Sequence, residues 1–183
     1  FVDRLNGASP GELFNAIEDY RRWFWSDPAR HRQGRLDLEA AWRHVAEEAF
    51  KRLGIEAPSV LDEVARAYAA ERQAAVRPLP GALEALATLR EKGVRLALVT
   101  NGGGEQQKRK ILRFGLSRFF DAVVIEGEFG AGKPDPRVFR FALEKVGSTP
   151  AEAWMVGDNL EYDIAGAQGI GIHAVWVDTD GAG

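Results

Sequence analysis

The chain has no cysteine. That excludes disulfides, thiolate metal sites and a cysteine nucleophile. It has a single methionine, Met155, and begins at Phe1. No native start is visible, so the expectation is that the N-terminus was processed or that the sequence starts downstream of its true beginning. No run of about 18 apolar residues occurs, so no membrane span is expected. No secretory leader is recognisable. Charge of one sign is also lacking: 24 basic residues face 27 acidic ones, for a net charge of −3. This argues against a nucleic-acid face or an acidic tail. There is no internal repeat and no low-complexity tract. A cytoplasmic protein with no nucleic-acid or membrane partner is the expectation.

What the sequence does contain changes character part-way along. Residues 1–8 read as the tail of a connecting helix that ends near Asn6-Gly7. Ser9-Pro10-Gly11-Glu12 forms a capping box, and Leu13, Ile17, Tyr20 and Phe24 follow at helical spacing. Ser26-Asp27-Pro28 breaks that helix, and Arg30, His31 and Arg32 read as a polar connector. Asp37 caps a second helix with Leu38, Trp42, Val45, Ala49 and Leu53 on one face, and Ser59 opens a third. Residues 9–77 are thus expected as an all-helical unit, a cap.

Pro78 to Gly81 is a linker. Residues 78–183 then alternate between strands and helices. Strands are expected at Val94–Thr100, Ala122–Ile125, Trp154–Val156 and Ala174–Val177, with helices at about 81–92, 105–114, Pro136–Val146 and Leu160–Gln168. That order predicts an α/β fold: a Rossmann-like parallel sheet with right-handed crossovers. Ligands in such sheets bind beyond the carboxyl ends of the strands.

Three strand ends carry chemistry. The first gives Thr100, Asn101 and then Gly102, Gly103 and Gly104. A hydroxyl, an amide and free backbone N–H groups ahead of a helix suit a phosphate oxyanion, although a plain polar turn would look similar. It is no dinucleotide fingerprint, because Gln107 stands where the third glycine belongs. The second leads to Gly127 through Lys133, nearly a P-loop, but Pro134 replaces the hydroxyl residue that would bind magnesium. Lys133 remains as a cation ahead of a helix, or as a surface lysine. The third gives Asp158 and Asp163, two acids suited to a metal, or else a helix cap and a first-turn acid. Their joint occurrence on one rim favours a site.

Leu98-Val99-Thr100-Asn101-Gly102, Gly132-Lys133-Pro134-Asp135-Pro136 and Gly157-Asp158 through Asp163-Ile164 resemble, in order and spacing, the second, third and fourth motifs of the haloacid dehalogenase (HAD) superfamily. The resemblance is specific over residues 78–177 and weak over 9–77. It implies a Mg2+-dependent phosphohydrolase that works through an aspartyl-phosphate on a small phosphorylated metabolite. Carried over by motif, Thr100, Asn101 and Gly102 bind the phosphoryl oxygens. Lys133 neutralises nucleophile and phosphate. Asp158 ligates Mg2+, and Asp163 orients Lys133 or a metal-bound water. The catalytic pair within the sequence is then Lys133 and Asp163. In the cap, Trp23, Trp25 and His31 are the candidates for facing substrate, with Phe24 and Trp42 as core. Monomer and homodimer are both compatible.

The family's first motif, an apolar strand ending in Asp-x-Asp, is absent; Asp3 has no strand before it, and Leu5 stands two residues on. The resemblance places that strand mid-sheet, so the expectation is a sheet without its centre and a preceding segment of roughly 10 to 30 residues carrying the nucleophile. Two alternatives stand beside the phosphatase: a 2-haloacid dehalogenase on the same fold, and a non-catalytic binding or regulatory protein of that fold.

Overall fold

The computed structural model describes residues 8–178, and the expected connecting-helix tail at residues 1–7 lies outside them. The chain divides at Arg77/Pro78 into two compact units.

Among the described residues, the first unit is an assembly of four helices. Helix α1 (Pro10–Ser26) starts on the expected box: Ser9 Oγ accepts the Glu12 N–H at 3.2 Å, and Glu12 Oε2 accepts the Ser9 N–H at 2.8 Å. Its apolar stripe, Leu13, Ile17, Tyr20 and Phe24, is buried. The connector expected at Arg30–Arg32 is instead helix α2 (Pro28–Leu36). Asp27-Pro28 ends one helix and starts the next: the Asp27 carboxylate accepts the Arg30 N–H at 2.9 Å and Pro28 takes the first helical turn. Gly34 lets α2 pack closely, since a Cβ there would sit 2.7 Å from the Phe24 ring. Helix α3 (Leu38–Arg52) is capped by Asp37. Helix α4 (Pro58–Ala75) begins one residue before Ser59, with Pro58 leading. Trp42, Val45, Ala49, Phe50, Val60 and Leu61 join the α1 stripe in one apolar core.

The second unit is α/β. Helix α5 (Ala82–Glu91) leads to strand β1 (Ala97–Thr100), three residues shorter than expected at its start. Helix α6 (Gly104–Arg113), strand β2 (Ala122–Ile125), the single-turn helix α7 (Glu126–Phe129) and helix α8 (Pro136–Val146) follow. Strand β3 (Trp154–Gly157) leads into a π-helical turn (Leu160–Ala165), helix α9 (Gly166–Gln168) and strand β4 (His173–Trp176). The helix expected over Leu160–Gln168 is therefore wider in its first part. Both strand pairs are parallel: β1 pairs with β2 from Ala97↔Ala122 to Thr100↔Ile125, and β3 pairs with β4 from Trp154↔His173 to Gly157↔Trp176. Among the described residues, no strand joins the pairs. Among the described residues β1 pairs only with β2 and β3 only with β4, so each keeps one open edge. Val138, Phe139 and Leu143 of α8 pack with Ala131, Ala167 and Ile172 and hold the unit together.

Candidate active site

The strand ends of the second unit converge on Lys133. It enters between Gly132 and Pro134, and the Lys133–Pro134 peptide bond is cis. Asn101, the first residue after β1, grips its backbone twice. Asn101 Nδ2 donates to the Lys133 carbonyl at 2.8 Å, and Asn101 Oδ1 accepts the Lys133 N–H at 2.7 Å. An asparagine side chain thereby acts as a short piece of β-ladder between two loops. Gln107 Nε2 donates to the Asn101 carbonyl at 3.0 Å and steadies the same turn.

Lys133 Nζ lies 2.5 Å from Asp163 Oδ1, with both side chains nearly buried (13% and 5% exposed). The contact is an ion pair rather than a well-angled hydrogen bond. Asp163 Oδ2 accepts the Asn159 N–H at 3.1 Å. Asn159 in turn caps the π-helical turn, its Oδ1 accepting the Glu161 and Tyr162 N–H groups at 3.0 and 2.7 Å. Gly157 makes room for this: a Cβ there would collide with the Asp163 carboxylate. The spacing of Gly157, Asn159 and Asp163 therefore has a local cause.

Asp158 is different. It is exposed at the end of β3, its carbonyl accepts Trp176 Nε1–H at 3.0 Å, and its carboxylate holds no ion pair among the described residues. Among those residues no three His, Asp or Glu side chains cluster as a ready-made metal cage. Mg2+ does not require one: it takes few carboxylates and keeps several waters. An exposed carboxylate directly after a strand fits such an ion in part.

Of the residues expected to hold phosphate, Thr100 is half-buried, with Oγ1 3.5 Å from the Asn101 carbonyl. The Asn101 side chain is engaged at both its oxygen and its nitrogen by the Lys133 backbone. Gly102 has a positive φ of 122°, and its N–H donates to Glu126 Oε2 at 2.9 Å. Of the cap candidates, Trp23 is exposed under the Arg30 guanidinium, 3.8 Å from its ring centroid. Trp25 stands edge-on to His31 at 5.3 Å, and its Nε1–H is buried without an acceptor among the described residues. His31 Nδ1 lies 3.4 Å from Arg35 Nη1. Phe24 and Trp42 are core, as expected.

Residues 33–177 match the family profile of the haloacid dehalogenase-like hydrolases. The chain belongs to this family. A phosphoserine phosphatase of Thermus thermophilus is 44% identical over 155 residues, covering 82% of this chain and 61% of that protein. A glyceraldehyde 3-phosphate phosphatase of Methanopyrus kandleri is 33% identical over 168 residues, 91% of this chain and 66% of its own length. The chain thus spans less than two thirds of the curated relatives it matches. Among solved structures, a HAD phosphatase from Thermococcus onnurineus is 30% identical with a TM-score of 0.58, covering 92% of this chain and 78% of that one. A 2-haloacid dehalogenase from Pseudomonas syringae is 26% identical with a TM-score of 0.61, covering 99% and 74%.

For a HAD-like hydrolase the strand-end residues named from sequence omit one buried acid, Glu126. Its signal is present in the sequence: it is the residue immediately after β2, a position of the same kind as those of Asn101 and Asp158.

Proposed function

We propose that this chain carries the charge-neutralising part of a Mg2+-dependent phosphohydrolase that acts on a small phosphorylated metabolite through an aspartyl-phosphate. The observation that carries the reading is the nearly buried Lys133–Asp163 ion pair, with the Lys133 backbone clamped by Asn101. A lysine fixed at both backbone and side chain holds positive charge where a phosphoryl group gains negative charge, without reorganising. Asp163 keeps the ammonium oriented. Asp158 would hold Mg2+, which would polarise the phosphoryl oxygens and offset charge repulsion between phosphate and carboxylates. Thr100 Oγ1 and the backbone around Asn101 would bind the transferring oxygens. Positioning and charge stabilisation account for most of phosphoryl transfer, so this half-site supplies much of what the chemistry needs.

The attacking carboxylate belongs, on this reading, to a strand seated between the free edges of β1 and β3, next to Lys133. The relatives named as phosphatases support a small phosphorylated substrate over a haloacid, and so does Asp158, which a metal-free attack on carbon would not use. Trp23, Trp25 and His31 remain the proposed substrate-facing residues of the helical unit, the cap. The same reading takes the protein as cytoplasmic; among the described residues no helix is long and apolar enough to cross a membrane.

The test is phosphate release by the intact protein from a panel of phosphorylated serine, triose and sugar substrates, with Mg2+ and with EDTA. Release that is abolished by EDTA and restored by Mg2+ is expected. Release unaffected by EDTA, or halide release from 2-haloacids without phosphate release, would overturn the reading.

A further inference from the structure

Glu126 is one of two charged residues that the described part of the chain buries, the other being Asp163. Asp163 has its role in the lysine pair, whereas Glu126 has none in the reading above. It sits at the first position after β2, 3% exposed, with Oε2 accepting the Gly102 N–H at 2.9 Å. A buried carboxylate is costly unless it is hydrogen-bonded, so its retention calls for a local reason.

The surroundings of the carboxylate supply one. The Gly102 turn follows Asn101, the residue that clamps Lys133. On its other side the carboxylate lies against the backbone of Gly132, the residue before Lys133. A Cβ on Gly132 would collide with the carboxylate and come within 2.8 Å of Asn101 Oδ1. The loops are also tied directly: the Gly127 N–H donates to the Gly102 carbonyl at 3.0 Å, and a Cβ on Gly127 would lie 2.7 Å from the Gly104 nitrogen. Glu126 therefore occupies the wedge between the Asn101–Gly104 turn and the Gly132–Lys133 segment, and it touches both.

We propose that Glu126 is a positioning residue for Lys133: its carboxylate fixes the Gly102 turn, and with it the Asn101 clamp, so that the ammonium of Lys133 is held where the phosphoryl group reacts. This rests on the phosphohydrolase reading for its catalytic consequence, but the linkage between Glu126 and the Lys133 backbone stands on geometry alone. Two properties of the side chain matter. Its length spans from the end of β2 to the Gly102 N–H, and its oxygen accepts that bond. The change Glu126→Gln keeps both. Glu126→Asp keeps the charge and loses the reach, and Glu126→Ala loses everything. Loss of alignment acts on the transition state more than on substrate binding, because displacement of a catalytic group by about 1 Å can lower turnover roughly a hundredfold.

The experiment compares Glu126→Gln, Glu126→Asp and Glu126→Ala in the intact protein, with kcat and KM measured separately and thermal melting recorded for each. The expected order is kcat near wild type for E126Q and roughly 10- to 100-fold lower for E126D and E126A, with KM changed far less. A second readout is independent of turnover: amide exchange at Gly102 and Lys133 by NMR. In E126D, which keeps the charge and nearly the full volume, both amides are expected to lose protection together while the α8 amides keep theirs. If the wild type shows no phosphatase activity but the two amides still respond together, the functional reading fails and the linkage survives. E126D with wild-type kcat and unchanged exchange at Lys133 would overturn the proposal. So would E126Q as impaired as E126A, which would mean that the charge, not the placement, is what matters.

Discussion

The two units use burial in opposite ways. The helical unit packs fourteen buried apolar residues from α1, α3, α4 and the α3–α4 loop into one cluster, and none of its described buried residues is charged. The α/β unit has a core cluster of six, holds both buried acids, Glu126 and Asp163, and leaves Trp154 and Val156 on β3 66% and 60% exposed. Among the described residues its two-strand pairs also leave ladder edges open. One unit devotes its interior to apolar area, and the other gives interior positions to fixing Lys133. Burying a hydrogen-bonded acid adds little net stability, yet removing its partner is costly. The α/β unit is therefore the place where single substitutions should separate function from folding.

The largest expected effect is on turnover alone. Asp158→Asn in the intact protein should lower kcat by orders of magnitude while the melting temperature barely moves, because the carboxylate is exposed and folding does not depend on it. Near-normal turnover would remove Asp158 from the metal site.

Next comes a matched pair. Asp163→Ala leaves the nearly buried Lys133 without its counter-charge and should cost roughly 3–5 kcal/mol in the α/β unit together with most of the activity. Trp42→Ala opens a cavity in the helical core and should cost about 3–5 kcal/mol as well. Denaturant unfolding read by probes in each unit, paired with kcat, checks both. The comparison breaks if Trp42→Ala lowers kcat as much as Asp163→Ala when both are assayed well below their melting points.

Local sequence signals carry much of this. The β2 strand, the α8 helix, the capping box at Ser9 and the apolar stripe of α1 are written in nearest-neighbour chemistry and lie where the pattern puts them. The misplaced elements have non-local or dual causes. Helix α2 reads as a connector because its residues, rich in Arg, lack an apolar stripe; what holds it is Asp27 serving α1 and α2 at once, and Gly34 against an aromatic ring. The π-helical turn follows from Asp163 reaching back to the Asn159 N–H, and a hydropathy period does not encode that bond. In the site, the residue types at the strand ends point to a lysine and two acids. That Asn101 grips a backbone 32 residues away, and that Glu126 is wedged beside it, needs the fold.

A smaller effect sharpens the electrostatic side of the contrast. Lys110 on α6 is half-buried, and burial pushes its ammonium below the usual lysine range. The folded state then binds its proton less tightly than the unfolded chain does. The penalty is in full force below the folded pKa and fades as pH rises from there towards the unfolded value, so this group makes stability increase with pH across that alkaline window. Lys110→Met should raise stability at neutral pH and flatten that rise. A pH series of melting temperatures for both proteins tests it; parallel curves would show that Lys110 bears no burial penalty.

The smallest effect concerns the boundary between packing and recognition in the helical unit. The Trp25 indole touches His31 and Trp42, yet its Nε1–H is buried with no acceptor among the described residues. An unmade buried hydrogen bond costs about 1–3 kcal/mol, and trimming indole to phenyl loses apolar contact of similar size. Trp25→Phe should therefore leave stability within about 1 kcal/mol of wild type. That near-cancellation makes the variant informative, because kcat/KM can then be read without a folding artefact. If Trp25 serves only the core, kcat/KM for the preferred substrate stays put. If its N–H is kept for a substrate group, kcat/KM falls, and falls more for that substrate than for a generic phosphate ester. A drop equal for both would place the loss in the reaction centre, and the division between a packing unit and a chemical unit would no longer hold at Trp25.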